Sequence, residues 1–179
     1  MVFVHLAEGF EELEAITIVD VLRRAGIEVI TVSITKDKAV TGSHNITIMA
    51  DILYENANYT NCEMIVLPGG MPGTTNLAKH VGLLKYIKDF ADDDKWIAAI
   101  CAAPMVLGNL SILRGKYATI YPGMELHLVG AKLSSEKVVV DGKIITSKGP
   151  GTAMDFALKL VEVLKGDQIV YSLRKAMVL

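Results

Sequence analysis

Apolar and polar positions along the chain alternate between short β-rich runs and stretches with helical spacing. Continuous apolar runs predict buried strands at 2–7, 28–34, 63–67 and 96–100. Between and after them, apolar residues spaced for one helix face predict helices near 8–25, 74–80, 82–92, 104–108, 149–164 and 167–175. Strands that alternate with helices in this way predict an α/β fold with a mostly parallel sheet.

The first predicted helix carries both of its end signals. Acidic residues fill its first turn, whereas Arg23 and Arg24 lie in the last, which matches the helix dipole. Gly26 follows at the position where a glycine cap ends a helix. Weaker strand signals occur at 46–49, as an edge or excursion strand, and at 137–146, as a hairpin that turns on Asp-Gly.

We therefore expect a three-layer α/β/α sandwich in which helices cover both faces of the sheet. Ligand sites in such folds lie outside the carboxyl ends of the parallel strands. Three distinctive segments follow predicted strands here: residues 8–14, the Pro68-Gly69-Gly70 turn, and Cys101. Their convergence at one edge of the sheet would form a functional site.

Composition narrows the protein class without identifying the chemistry. A chain of 179 residues predicts a single domain spanning 1–179, and a net charge of −2 gives no reason to expect nucleic acid as a partner. Two cysteines are too few for a disulfide framework, and no Cys/His spacing indicates a metal. The sequence shows neither a signal peptide nor an apolar stretch as long as a membrane span, so we expect a cytoplasmic location.

Cys101 is the strongest candidate for chemistry. It ends the apolar run 96–100, and Pro104 begins a helix just after it, as in a nucleophile elbow. Free N–H groups at such a turn favour a thiolate. The structural alternative is a small buried hydrophobic residue, which free cysteine often is.

A cysteine nucleophile also needs an oxyanion site and a proton carrier. The Gly69-Gly70 turn and the Ala102 N–H are candidate donors, although two glycines are equally typical of a plain tight turn. Glu14 is an attractive proton carrier, because a carboxyl group beside a thiolate in an apolar site has a raised pKa. Glu11 and Glu12 are expected only to compensate the helix dipole on a solvated face. The residues alone do not choose among the three glutamates.

The remaining candidates are less specific. His5 is expected in the core or an interface and His80 at the surface, whereas the loop that holds His44 is able to approach the site. His127 lies near the Tyr121-Pro122 stretch, and any of these histidines is a possible base for Cys101. Cys62 precedes a strand and is expected to be a bystander.

Taken together, these segments resemble the ThiJ/PfpI superfamily, and within it the DJ-one branch. The matching stretches are 8–14, 19–27, 66–70, 98–104 and 146–152, in the family's order along nearly the whole chain. The resemblance implies a flavodoxin-like fold, a homodimer and no cofactor. It makes Cys101 the reactive, oxidation-prone cysteine and Glu14 the protonated carboxyl beside it, with Gly70 and Ala102 as backbone donors and Gly69 shaping the turn.

The chain departs from the family pattern at the mouth of the implied pocket. Tyr121 stands where many relatives carry a histidine, and a phenol is a poor base near neutral pH. His44 and Lys148 stand at or near positions where relatives have arginine, which weakens bidentate recognition of an anion. The protease-like branch places histidine directly after the cysteine, so Ala102 argues against peptidase activity.

The resemblance implies two classes of function for the same thiol. The first is a glyoxalase III-like enzyme that converts methylglyoxal to lactate, or a deglycase that repairs glyoxal-modified proteins and nucleotides. The second is an oxidation sensor or chaperone in which Cys101 becomes a sulfinate. A thiamine-related role also occurs in family descriptions, but the sequence has no phosphate-binding motif that would support it.

Overall fold

Seven strands form one sheet through the centre of the molecule. The computed structural model describes all residues from 1 to 179. The sheet consists of β1 (Val2–Leu6), β2 (Val29–Ser33), β5 (Ile52–Leu53), β6 (Met64–Leu67), β7 (Trp96–Ile100), β10 (Val138–Asp141) and β11 (Ile144–Ser147). Its strand order is β10-β11-β7-β6-β1-β2-β5, and every pair is parallel except β10 with β11. The predicted, mostly parallel sheet is confirmed.

Six helices cover both faces of this sheet. They are α1 (Glu12–Arg24), α2 (Gly73–Lys79), α3 (Val81–Asp92), α4 (Pro104–Asn109), α5 (Ala153–Lys165) and α6 (Asp167–Met177). Helices α1 and α5 share one apolar cluster with alternate residues of β1 such as Val4, whereas α2, α3 and α4 pack with the opposite set, such as Phe3. Because neighbouring residues of β1 enter different clusters, the fold is the expected flavodoxin-like α/β/α sandwich.

The signals at the helix ends act as the sequence predicts. The Glu11 carboxylate caps α1 by accepting the Glu14 N–H at 2.7 Å. Gly26 follows α1 with a φ of 68°, a left-handed conformation that glycine adopts without steric cost. Most predicted elements start or end within a few residues of the observed ones. None of the helices has both the length and the apolarity that crossing a membrane requires.

Two small structures lie outside the main sheet. The weak strand signal at 46–49 corresponds to β4 (Thr47–Met49), which forms an antiparallel hairpin with β3 (Ala39–Thr41). The stretch 110–136, where the sequence analysis predicts no element, holds the short parallel pair β8 (Tyr117–Ala118) and β9 (Lys132–Leu133). Four 3₁₀ turns complete the chain, at Tyr54–Asn56, Tyr59–Asn61, Glu125–His127 and Pro150–Thr152.

The order of the central strands decides where chemistry is possible. Strands β7, β6 and β1 are direct neighbours and run parallel, so their carboxyl ends meet at one edge. The segments that the sequence singled out, namely 8–14, 68–70 and Cys101, follow these ends. The predicted convergence is therefore observed.

Candidate active site

Cys101 occupies a sharp turn between strand β7 and helix α4. Its φ is 64°, in the left-handed region, where a residue other than glycine costs about 1–2 kcal/mol. Hydrogen bonds on both sides hold this conformation, because the Cys101 N–H donates to the Ser147 carbonyl at 3.0 Å and the Cys101 carbonyl accepts the Tyr121 N–H at 2.8 Å. The residue is 8% exposed, so the thiol lies just below the surface. The predicted sharp turn from strand to helix at Cys101 is observed, whereas its role as a nucleophile stays a prediction.

Glu14 lies in the first turns of α1 and is fully buried. Its Oε2 accepts the Gly69 N–H at 2.7 Å, whereas its Oε1 is buried without a hydrogen-bond partner. Burial, the largest influence, raises the pKa of this carboxyl to about 7, although the Gly69 hydrogen bond and the contact with Cys101 oppose the rise. Near neutral pH, Glu14 therefore exists in both protonation states, and Oε1 is the free position for the proton.

The Gly69-Gly70 turn brings Glu14 and Cys101 together. A Cβ atom at Gly69 would lie 2.5 Å from the Cys101 Cβ and 2.8 Å from Glu14 Oε2, so only glycine fits between the two side chains. Gly70 adopts a φ of 89°, a conformation that favours glycine. This backbone turns the Gly70 N–H toward the Cys101 sulfur, to which the Ala102 N–H also donates.

The ionisation of Cys101 differs from the expectation. Burial, followed by the charge on Glu14, raises the pKa of the thiol to about 12, and the N–H groups of Gly70 and Ala102 only partly oppose this rise. The position after β7 therefore does not favour a thiolate by itself, because burial outweighs the nearby N–H donors. Local sequence contains no measure of this burial. When Glu14 holds the proton its charge is gone, and the sulfur then has three donors around it. The two groups thus titrate as a pair that shares one proton.

Glu11 and Glu12 are not on a solvated face, so that expectation is wrong. They are 8% and 5% exposed, because the tip of the β3–β4 hairpin folds over them. Glu12 Oε1 accepts the His44 N–H at 2.7 Å, and Glu12 Oε2 lies 2.9 Å from His44 Nδ1. Gly42 makes this approach possible, since a Cβ there would lie 2.3 Å from the Glu12 carboxyl carbon. No local sequence signal predicts this contact between segments about thirty residues apart.

The three residues expected at the pocket mouth take different positions. The Tyr121 ring is 47% exposed and passes over Gly149, beside the turn that holds Cys101. The Lys148 ammonium donates to the Ser135 carbonyl, and both residues line a cavity of about 480 Å³ together with Pro122. His44 contacts Glu12 rather than Cys101.

The other histidines and the second cysteine stay outside the site. His5 is buried beside Tyr59, with 2.7 Å between Nε2 and the phenol oxygen, and burial lowers its pKa to about 3. His80 is half-buried rather than at the surface, and its Nδ1 caps α3 by accepting the Leu83 N–H. The Cys62 thiol is buried and donates to the Met64 carbonyl. That Cys62 takes no part in the chemistry stays a prediction.

Comparison with known proteins places these features in a family context. A family model described as the DJ-1/PfpI family matches residues 1–163. The Arabidopsis thaliana protein DJ-1 homolog B is 38% identical over 176 residues; the match covers 98% of this chain but only 40% of the relative's length. The Caenorhabditis elegans protein named glutathione-independent glyoxalase DJR-1.2 is 34% identical over 173 residues, which cover 96% of this chain and 92% of the relative.

A solved structure of Toxoplasma gondii DJ-1, described as oxidized, superposes with a TM-score of 0.95 at 35% identity, over 99% of this chain and 97% of that chain. The family match and the superposition both include all segments that form the Cys101 site. The chain belongs to the DJ-1/PfpI family.

Proposed function

We propose that the protein is a cysteine-dependent enzyme that needs no cofactor and converts small reactive dicarbonyls to hydroxy acids, as a glutathione-independent glyoxalase does. The observation that carries this proposal is the placement of the Cys101 sulfur among the N–H groups of Gly70 and Ala102 and the Glu14 carboxyl. A nucleophile, donors for a developing oxyanion and a proton carrier thus meet at one point. The name of the C. elegans relative supports this reaction class.

A balanced sequence of steps follows from these groups. The Cys101 thiolate adds to the aldehyde carbon of methylglyoxal, and Glu14 gives its proton to the resulting alkoxide, which forms a hemithioacetal. The Glu14 carboxylate then removes the proton from the same carbon, and the electron pair moves to the neighbouring carbonyl to form an enediolate. Glu14 returns the proton to the second carbon, and the hydroxyl proton on the first carbon passes to the oxygen of the second, which gives a lactoyl thioester.

Water completes the turnover. It attacks the thioester carbonyl, whose oxyanion the N–H groups of Gly70 and Ala102 stabilise, and the Cys101 thiolate leaves. The sum of the steps is methylglyoxal plus water giving lactate and a proton, an internal redox exchange that consumes no oxidant or reductant. Glu14 is suited to both proton transfers, because a carboxyl group with a pKa near the working pH both donates and accepts.

The test is lactate formation from methylglyoxal, followed by NMR, in wild type, Cys101→Ser, Glu14→Gln and Cys62→Ser. We expect catalytic lactate production in wild type and Cys62→Ser and none above background in the other two. Loss of methylglyoxal without lactate in wild type would indicate only reversible adducts with the thiol and would refute the glyoxalase. Release of free amine from a glyoxal-modified amine, without lactate, would instead favour a deglycase.

Oxidation sensing is the second candidate. The same N–H groups that act on the Cys101 sulfur would stabilise the oxygen atoms of a sulfenate or sulfinate. Each of two hydrogen peroxide molecules would deliver one oxygen to the sulfur and leave as water. The oxidized state named for the T. gondii structure favours this alternative. Sulfinate formation on Cys101 without any lactate production would favour oxidation sensing over the glyoxalase.

A further inference from the structure

A second cluster of reactive side chains lies beside the active site, where α1 meets the β3–β4 hairpin. It consists of the carboxylates of Glu11 and Glu12 and the imidazole of His44. The His44 Nδ1 atom lies 2.9 Å from Glu12 Oε2 and 3.8 Å from Glu11 Oε1. These three atoms all lie within 4.8 Å of one another, so they face a common point.

The cluster carries more negative charge than its protein partners neutralise. Glu11 and Glu12 are adjacent, with side chains 11% and 6% exposed, and the only cationic group within salt-bridge distance of either is His44. The cation nearest to Glu11 Oε1 is the His44 ring at 3.8 Å, which is beyond hydrogen-bond distance. This oxygen is therefore free to act as a ligand beside Glu12 and His44.

Each carboxylate uses one oxygen for orientation and leaves the other for the common point. Glu12 Oε1 accepts the N–H groups of His44 at 2.7 Å and Ile46 at 3.3 Å, whereas Glu11 Oε2 accepts the Glu14 N–H at 2.7 Å. Such hydrogen bonds fix the direction of ligating carboxylates in metal sites. The site is therefore held in place by backbone groups from both the helix and the hairpin.

We propose that Glu11, Glu12 and His44 bind a divalent transition metal ion of the Zn²⁺ type. Zinc bonds of about 2.0–2.2 Å to nitrogen and oxygen, in tetrahedral geometry, separate neighbouring ligand atoms by about 3.3 Å. The observed separations of 2.9 Å and 3.8 Å lie on either side of this value. The ion would take the place of a proton on His44 Nδ1, which passes to solvent, while Nε2 keeps the second ring proton.

The surroundings favour such an ion over magnesium or calcium. An imidazole ligand suits zinc, copper and nickel, whereas magnesium and calcium prefer sites built entirely from oxygen. The His44 side chain is 68% exposed, which gives an ion a path from solvent to the two buried carboxylates. Three protein ligands leave the fourth position to water.

The test must separate this site from Cys101, because a thiolate is itself a zinc ligand. Zn²⁺ is titrated calorimetrically into four proteins. The first is Cys101→Ser, and the other three combine Cys101→Ser with His44→Gln, Glu11→Gln or His127→Gln. We expect one Zn²⁺ per chain in Cys101→Ser and in the His127→Gln control, which alters an exposed histidine on a 3₁₀ turn. His44→Gln and Glu11→Gln should each weaken binding by at least about tenfold.

Glutamine at position 11 keeps an oxygen to cap α1, so Glu11→Gln should remain folded, and circular dichroism checks each variant. Should either variant unfold, the ring resonances of His44 in Cys101→Ser provide the deciding measurement, because they shift on addition of Zn²⁺ only if the ring is a ligand. The proposal would be overturned if Cys101→Ser bound no Zn²⁺, or if His44→Gln in that background bound it equally well. Displacement of Zn²⁺ by excess Mg²⁺ would also overturn it.

Discussion

The sharpest prediction concerns Gly69, which has no catalytic group of its own. In Gly69→Ala the new methyl group would meet the Cys101 Cβ at 2.5 Å, Glu14 Oε2 at 2.8 Å and the Ile100 carbonyl oxygen at 2.9 Å. The Ile100 oxygen belongs to the backbone, the Cys101 Cβ is bonded directly to the backbone, and Glu14 Oε2 is fully buried and held by the Gly69 N–H, so none of them can move aside freely. The substitution adds one methyl group and changes no charge.

The size of the expected loss in rate follows from how far residue 69 and Cys101 must move apart. Carbon atoms in van der Waals contact lie about 3.5–4.0 Å apart, so Cys101 and residue 69 must separate by about 1 Å. A misplacement of about 1 Å at reacting groups costs on the order of 100-fold in rate. Inserting a methyl group into a filled core typically costs about 1–3 kcal/mol of unfolding free energy.

Gly151→Ala is the matched control, because a Cβ there meets no atom within 4 Å and Gly151 does not have a positive φ. Lactate formation is measured for both variants, together with urea unfolding and the rate at which iodoacetamide alkylates Cys101. We expect Gly69→Ala to lose about 100-fold in kcat/KM while remaining folded, and Gly151→Ala to match wild type. Activity within twofold of wild type in a folded Gly69→Ala would show that the contact between Glu14 and Cys101 is not needed.

Three further predictions follow from burial and charge. Because burial raises the pKa of Glu14 from 4.5 to about 7, the native state should lose about 3 kcal/mol as the pH rises through this interval, and urea unfolding at both ends should find no such loss in Glu14→Gln. Dilute peroxide should oxidise Cys101, which is 8% exposed and has N–H donors around its sulfur, and leave Cys62 reduced, since the Cys62 thiol is 2% exposed and lies against the Met64 carbonyl; peptide mass spectrometry measures this, and equal oxidation of both would contradict it. The implied homodimer should sediment as one species, and Met49→Asp should shift it toward monomer if the hairpin, where Met49 is 67% exposed, forms part of the interface; an unchanged dimer would exclude that position.

The sequence predicts the central part of the fold well, and the reason is local. The run 96–100 is apolar throughout and ends at a thiol, and Pro104 is favourable only at the start of the next helix. Strand, turn and helix are therefore all indicated within about ten residues. The parallel direction of β7, β6 and β1 then follows from the alternation of strands and helices, whereas their order in the sheet is seen only in the structure.

Short elements without a periodic pattern are not predictable in this way. Strands β8 and β9 have two residues each and pair across about fifteen positions, so neither contains enough residues to show alternation. Their place is set by contacts with the rest of the chain. The backbone N–H of Thr119, for example, donates to the Thr146 hydroxyl at 3.0 Å, a contact that only the assembled sheet provides.

The three glutamates at the start of α1 show why the contacts of the site cannot be predicted from local sequence. All three lie within four residues, yet their partners come from three different places: Glu11 caps its own helix, Glu12 accepts the His44 N–H of the hairpin, and Glu14 accepts the Gly69 N–H that follows β6. Their local sequence therefore contains no information on which of them meets Cys101.

These partners push two of the carboxyl groups in opposite directions. Burial acts to raise the pKa of Glu12, but hydrogen bonds from the His44 ring and from backbone N–H groups hold it below its usual value. Burial prevails at Glu14, whose pKa rises to about 7. Glu12 thus remains an anion throughout the neutral range, whereas Glu14 both gains and loses a proton there. Of these two carboxyl groups, Glu14 suits a reaction that moves protons at neutral pH, and Glu12 offers the permanent negative charge that binds a cation.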